Sequence, residues 1–148
     1  DEGLRLSGKF GDVSTIKLPM TRDGLIVTRH LSKELVRTNV TLIFSIAQAV
    51  LAAKAGATYV SPFVGRLDQQ VAGLEVVRSI CDVYSTHRVR TQVLSASIRS
   101  VQRAVKSFHN GADIVTMPPD VFEKMYDHIL TDKGLEIFEA DIREINKV

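Results

Sequence analysis

The chain of 148 residues has no tryptophan, one cysteine and only four prolines. A single thiol, Cys81, excludes an internal disulfide and a thiolate cluster for zinc, and it suits a reducing cytoplasm. No apolar run approaches the roughly 18 residues that cross a bilayer, and the first residues carry no signal-peptide pattern. Charge of one sign is scarce as well. The formal balance is +2 and basic residues are scattered, so neither nucleic acid nor a membrane is expected as a partner. A glycine-rich nucleotide loop is missing. His30, His87, His109 and His128 fall on helical stretches or their ends, without metal-ligand spacing, and read as surface or cap residues. With 45% hydrophobic and 24% charged residues, the chain has the balance of an ordinary soluble domain, expected to be a single one over residues 1–148.

Apolar, β-branched runs alternate with helical patterns throughout. Strands are expected at Val13–Leu18, Thr38–Phe44, Thr58–Pro62, Thr91–Ala96 and Asp113–Met117. Helical periodicity falls on Asp23–Leu35, Ala47–Ala55, Gly73–Tyr84, Ser100–Asn110 and Pro119–His128, and a last amphipathic helix over Thr131–Lys147 is expected to be capped by Thr131. Gly56 and Gly111 sit where a helix should stop through a positive φ, and they head a weak repeat, Ala55–Pro62 and Asn110–Pro118. Such alternation means an α/β fold of parallel strands with helical crossovers. Five strands fit part of a TIM (β/α)₈ barrel, whose closed form takes about 250 residues, and equally a doubly wound sheet.

Both architectures put ligands at the C-terminal ends of the strands, and polar residues cluster there. Lys17 ends the first strand on one face with Val13 and Thr15. A lysine buried in an apolar strand tends to lose its proton, which is what a Schiff-base nucleophile requires; the same lysine could also snorkel to solvent. Asn39 and Thr41 share a face of the second strand, where they could serve a ligand or simply bond a neighbouring backbone or a water. Ser61 and Arg66, with Gly65 permitting tight geometry, follow the third strand, and Ser97 with Arg99 follows the fourth. Two such pairs on successive strand ends suit a phosphate, although either arginine alone could be merely solvated. Asp68 near Arg66 reads as a local ion pair, and Tyr59 and Phe63 as core aromatics.

These segments, Ile16–Thr21 (IKLPMT), Thr38–Asp68, Ser95–Ser100 (SASIRS), Gly111–Pro118 and Leu130–Ile142, resemble the small bacterial and archaeal transaldolases, a group that also holds the fructose-6-phosphate aldolases. The resemblance runs from near the N-terminus to the end. It implies a partial TIM barrel of five parallel strands with a C-terminal helix, and a class I transaldolase that moves a dihydroxyacetone unit between sugar phosphates in the pentose phosphate pathway. Lys17 then forms the Schiff base, Asn39 and Thr41 lie near it with the threonine helping to hold a catalytic water, and Ser61, Arg66, Ser97 and Arg99 bind the substrate phosphate. Phenylalanine at position 63 goes with the transaldolases, where the aldolases have tyrosine, so Phe63 implies transfer rather than simple cleavage. Neither a metal nor an organic cofactor is implied. A cytoplasmic ring-type homo-oligomer, packed through the C-terminal helix, is.

Family members begin with three further βα units that carry an aspartate, an asparagine and a glutamate or glutamine serving the water, and these have no counterpart here. The chain alone is therefore expected to be weak or inactive. Its alternatives are a truncated phosphate-binding or assembly module and a cleaving aldolase.

Overall fold

The computed structural model describes residues 2–67 and 73–146, so Asp68 and Lys147 lie outside the described residues. Among those described, the order is α1 (Glu2–Phe10), a 3-10 turn (Gly11–Val13), β1 (Ile16–Pro19), α2 (Arg22–Lys33), β2 (Thr38–Ile43), α3 (Ile46–Lys54), β3 (Tyr59–Pro62), α4 (Val64–Leu67), α5 (Gly73–Thr86), β4 (Gln92–Ser95), α6 (Val101–His109), β5 (Ile114–Val115), α7 (Pro119–Glu123) and α8 (Ile129–Ile145). The strands are all parallel and lie side by side in chain order, β1-β2-β3-β4-β5.

That order decides the architecture. A doubly wound sheet reverses its strand order partway and carries helices on both faces. Here every crossover steps the same way, and right-handed crossovers then put their helices on one side. Helix α2 packs on β1 and β2, α3 on β2 and β3, α5 on β4 and α6 on β5, while α2, α3, α5 and α6 touch in sequence. This single layer of helices outside a consecutive parallel sheet is an α/β fold of the TIM-barrel type in partial form.

Alternation along the strands separates the two faces. Leu18, Val40, Val60 and Val93 form one lateral row by register, and the three valines are buried against the helices. Ile43, Ala49, Ala52, Val77, Ile80, Tyr84, Ile98 and Ala104 complete the core between the layers. Tyr84 ties α5 to α3 by donating its hydroxyl to the Ala49 carbonyl at 2.7 Å. The opposite row, Lys17, Asn39, Tyr59 and Gln92, looks onto the concave face.

The helix-to-strand joints share one design. In each, an N–H bonds the carbonyl three residues back and the next N–H bonds the carbonyl five back: Leu35 to Ser32 with Val36 to Leu31, Gly56 to Ala53 with Ala57 to Ala52, Arg88 to Ser85 with Val89 to Tyr84, and Gly111 to Phe108 with Ala112 to Ser107. This is the Schellman arrangement, and it requires a left-handed residue at the first position. Gly56 and Gly111 meet that need, at φ 90° and 91°, as the sequence leads one to expect. Leu35 and Arg88 adopt it as well, at φ 58° and 51°, without glycine's freedom.

Several boundaries differ from the periodicity. β1 starts at Ile16 rather than Val13, because Gly11 turns through φ 60° and Ser14 returns both its N–H and its hydroxyl to the Gly11 carbonyl. Val13 therefore lies in the turn, 88% exposed, and does not share the Lys17 face. Helix α7 stops at Glu123, well before His128. The cap of α8 is His128, whose Nδ1 accepts from the Leu130 N–H at 3.2 Å, and Thr131 lies inside the helix.

Leu35→Gly should relieve the strained joint at a position that is 91% exposed and buries nothing. The expected gain is about 0.5–1 kcal/mol, net of glycine's larger unfolded-state entropy. Urea denaturation would register it as a raised midpoint with an unchanged slope.

Candidate active site

Helix starts converge on the C-terminal ends of the strands because small polar residues cap them there. Thr21, Ser45 and Ser100 accept from the N–H groups of Gly24, Gln48 and Arg103 to begin α2, α3 and α6. Gly24 lies so close to the end of β1 that a Cβ on it would sit 2.0 Å from the Pro19 carbonyl oxygen. The lysine strand is thereby locked to the helix that follows it.

Lys17 pairs in register with Asn39, and Pro19 with Thr41, which in turn faces Ser61. Ser61 is buried and donates its hydroxyl to Asn39 Oδ1 at 2.7 Å, so the amide NH₂ is the end of Asn39 left to meet a ligand. The hydroxyl of Thr41 is shielded from solvent and has no hydrogen-bond partner among the described residues. A buried hydroxyl left so costs roughly 1–3 kcal/mol, which a bound water or substrate oxygen would recover. Lys17 itself is exposed. Of the two placements the sequence allows, buried or snorkelling to solvent, the described residues show the solvent-exposed one.

The two serine–arginine segments meet at the ends of β3 and β4. Ala96 N–H bonds the Pro62 carbonyl, Val64 N–H bonds the Ala96 carbonyl, and Phe63 bridges Ala96. Gly65 packs directly on the second segment, where a Cβ would come within 2.3 Å of the Ser97 carbonyl oxygen. Ser97 turns through φ 63° at that contact. The Arg66 guanidinium lies over the Phe63 ring, 5.3 Å from its centre. Arg99 is exposed between the buried Ile98 and the Ser100 cap. Ser61, grouped with Arg66 by sequence, is the residue bonded to Asn39.

Other reactive groups stand apart from this mouth. Burial, then the carboxylates of Asp113 and Asp82, push the Cys81 thiol up to about 11, so it is a protonated thiol near neutrality. Tyr84 is also raised, chiefly by burial and then by Cys81. No group of three or more His, Cys, Asp or Glu that could hold a metal occurs among the described residues. No helix there is long and apolar enough to cross a membrane.

The whole chain, residues 1–148, matches the family model for transaldolase/fructose-6-phosphate aldolase. The chain belongs to this family. It is 50% identical over 131 residues to a probable transaldolase of Brachyspira hyodysenteriae, covering 88% of this chain and 60% of that protein. A probable transaldolase of Phenylobacterium zucineum is 48% identical over 141 residues, covering 95% and 64%. One from Methanococcus vannielii is 49% identical over 134 residues, covering 90% and 62%. This transaldolase-family chain thus spans somewhat over three-fifths of the length of these relatives. Among solved structures, a mandelate oxidase superposes at TM-score 0.51 and 21% identity, over 63% of this chain and 27% of the oxidase, which is a likeness of fold alone.

Sequence reasoning missed two residues of the concave face and its mouth in this transaldolase-family chain. Gln92 lies in the concave row with Tyr59, which alternation from the buried Val60 and Val93 would have found. Phe44 reaches the mouth through a change of register that no residue type announces. Gly65→Ala should separate the two loop segments, destabilising the chain by about 1–3 kcal/mol and weakening inorganic phosphate binding. Denaturant unfolding and calorimetric titration of that variant would measure both.

Proposed function

We propose that this chain supplies the lysine, amide and phosphate-binding parts of a transaldolase site, transferring a dihydroxyacetone unit between sugar phosphates through a Schiff base on Lys17. The observation that carries the reading is the row in which Lys17 stands beside the Asn39–Ser61 pair on the open concave face. The amine of Lys17, once deprotonated, attacks the C2 carbonyl of a ketose phosphate, and loss of water gives an iminium. The iminium takes up the electrons of the C3–C4 bond as the C4 hydroxyl loses its proton, so an aldose phosphate leaves and an enamine remains. That enamine adds to the carbonyl of a second aldose phosphate, and water then releases the new ketose and the free lysine.

Asn39 turns its NH₂ toward the substrate hydroxyls, since its oxygen is held by Ser61. The unpartnered Thr41 hydroxyl is where the water would be held. Arg66, Ser97 and Arg99 take the phosphate, and binding there becomes orientation at the reacting carbon. Ser61 contributes by fixing Asn39 rather than by a hydroxyl of its own to the phosphate. Phe63, at the mouth, goes with transfer rather than cleavage. We assign the protein to the pentose phosphate pathway in the cytoplasm, as a homo-oligomer. The apolar stripe of α8, with Leu135, Phe138, Ile142 and Ile145 all exposed, supports packing of that helix on another copy.

A second reading is a phosphate-binding module without turnover, which would keep the joined segments at the ends of β3 and β4 but form no Schiff base. Incubation with fructose 6-phosphate, borohydride reduction and peptide mass analysis separates the two. The proposed transferase forms a dihydroxyacetone adduct on Lys17 that Lys17→Met abolishes; phosphate binding without an adduct means the module. Phe63→Tyr should raise the ratio of cleavage to transfer, followed by coupled assays of free glyceraldehyde 3-phosphate and of transfer product.

A further inference from the structure

Strand β2 carries a bulge whose effect is to change which face a phenylalanine occupies. Thr41 pairs with Ser61, yet Ile43, not Leu42, pairs with Pro62. The extra residue is Leu42, held at φ 62°, a left-handed conformation that a branched aliphatic residue rarely adopts. Without it, alternation from Thr41 would send Leu42 toward the helices, Ile43 to the mouth and Phe44 toward the helices again. With it, Ile43 is fully buried in the core and Phe44 emerges beside Phe63, 36% exposed. The two rings meet edge to face, 6.0 Å between centres at 66°. The backbone N–H of Phe44 is in turn fixed by Gln48 Oε1 at 2.7 Å, while Gln48 N–H bonds Ser45, a reciprocal cap on α3. Strain in the strand and a capped helix start thus both aim this ring at the mouth.

We propose that Phe44 is a positioning residue of the anion subsite: it sets the plane of the Phe63 ring, on whose face the Arg66 guanidinium rests, and so orients Arg66 toward the phosphate of a phosphorylated sugar. The inference rests on the phosphate-binding part of the reading above and deepens it. An arginine on an exposed loop otherwise samples many rotamers, and each must be given up on binding. A ring face with a fixed tilt removes part of that cost and makes the fork available for two parallel bonds to phosphate oxygens. Phe44 acts through Phe63 and touches no reacting atom.

The test uses inorganic phosphate as the probe of the subsite and dihydroxyacetone as a separate probe of Lys17. Phe44→Leu should weaken phosphate binding by about 2- to 10-fold, the scale of one lost aromatic pair. Phe44→Tyr, which keeps the edge contact, should restore it. In a Phe63→Leu background, Phe44→Leu should cost nothing further, because its route to Arg66 is already gone. The upfield ring-current shift of the Arg66 side-chain protons should diminish in Phe44→Leu, which still folds cooperatively, and the borohydride-trapped dihydroxyacetone adduct should still form. The proposal is overturned if Phe44→Leu binds phosphate as the wild type does, if it costs as much again without Phe63, or if the wild-type chain binds no phosphate. The adduct reports independently: its absence from a chain that binds phosphate would sink the Schiff-base reading and leave the Phe44 inference standing.

Discussion

The parallel register across β1 to β4 is the constraint on which the site depends. Leu18, Val40, Val60 and Val93 line up because their side chains have one place to go, under the helices. Side chains alternate strictly along a strand, so a slip of one residue would bring Lys17 and Asn39 toward the apolar layer and expose the valines. The core therefore selects the register, and the register puts an amine, an amide and two hydroxyls on one face. Packing and chemistry are carried here by alternate residues of the same short segments.

At the rim the chain departs from this regularity, and it does so with backbone conformations that cost energy. Leu42 and Ser97 both have positive φ, and Gly65 lies against the Ser97 carbonyl, where any side chain would collide. Leu42 departs as a bulge within the last residues of β2, Ser97 just beyond the end of β4. The pattern is that of a rigid scaffold whose strained positions concentrate where ligands bind. Below the rim, where the strands are regular, Ser61 reaches Asn39 across the pair.

Much of this was legible in the residues, for physical reasons that can be named. Strand and helix periods differ enough to separate the elements, and glycines at 56 and 111 marked two joints correctly. Asn39 and Thr41 share a face because β2 is regular up to Thr41. Beyond that point alternation misleads: a left-handed leucine has no composition signal, so Phe44 could not be assigned to the mouth. The joints at Leu35 and Arg88 were hidden for the same reason. Periodicity was equally silent on whether the sheet is singly or doubly wound, since both share one local pattern and only the order of the strands distinguishes them.

Four joints of one geometry and five strands in chain order have a consequence for how such a molecule is made. Each new strand needs only the strand synthesised just before it, at the nearest as Asn39 lies to Tyr59 and at the farthest as Tyr59 lies to Gln92. Nothing in the described sheet must wait for a distant segment, so loop closure stays inexpensive at every step. A growing chain on the ribosome can add one strand–helix unit at a time to an edge that is already formed. The order of translation and the order of the sheet are the same list.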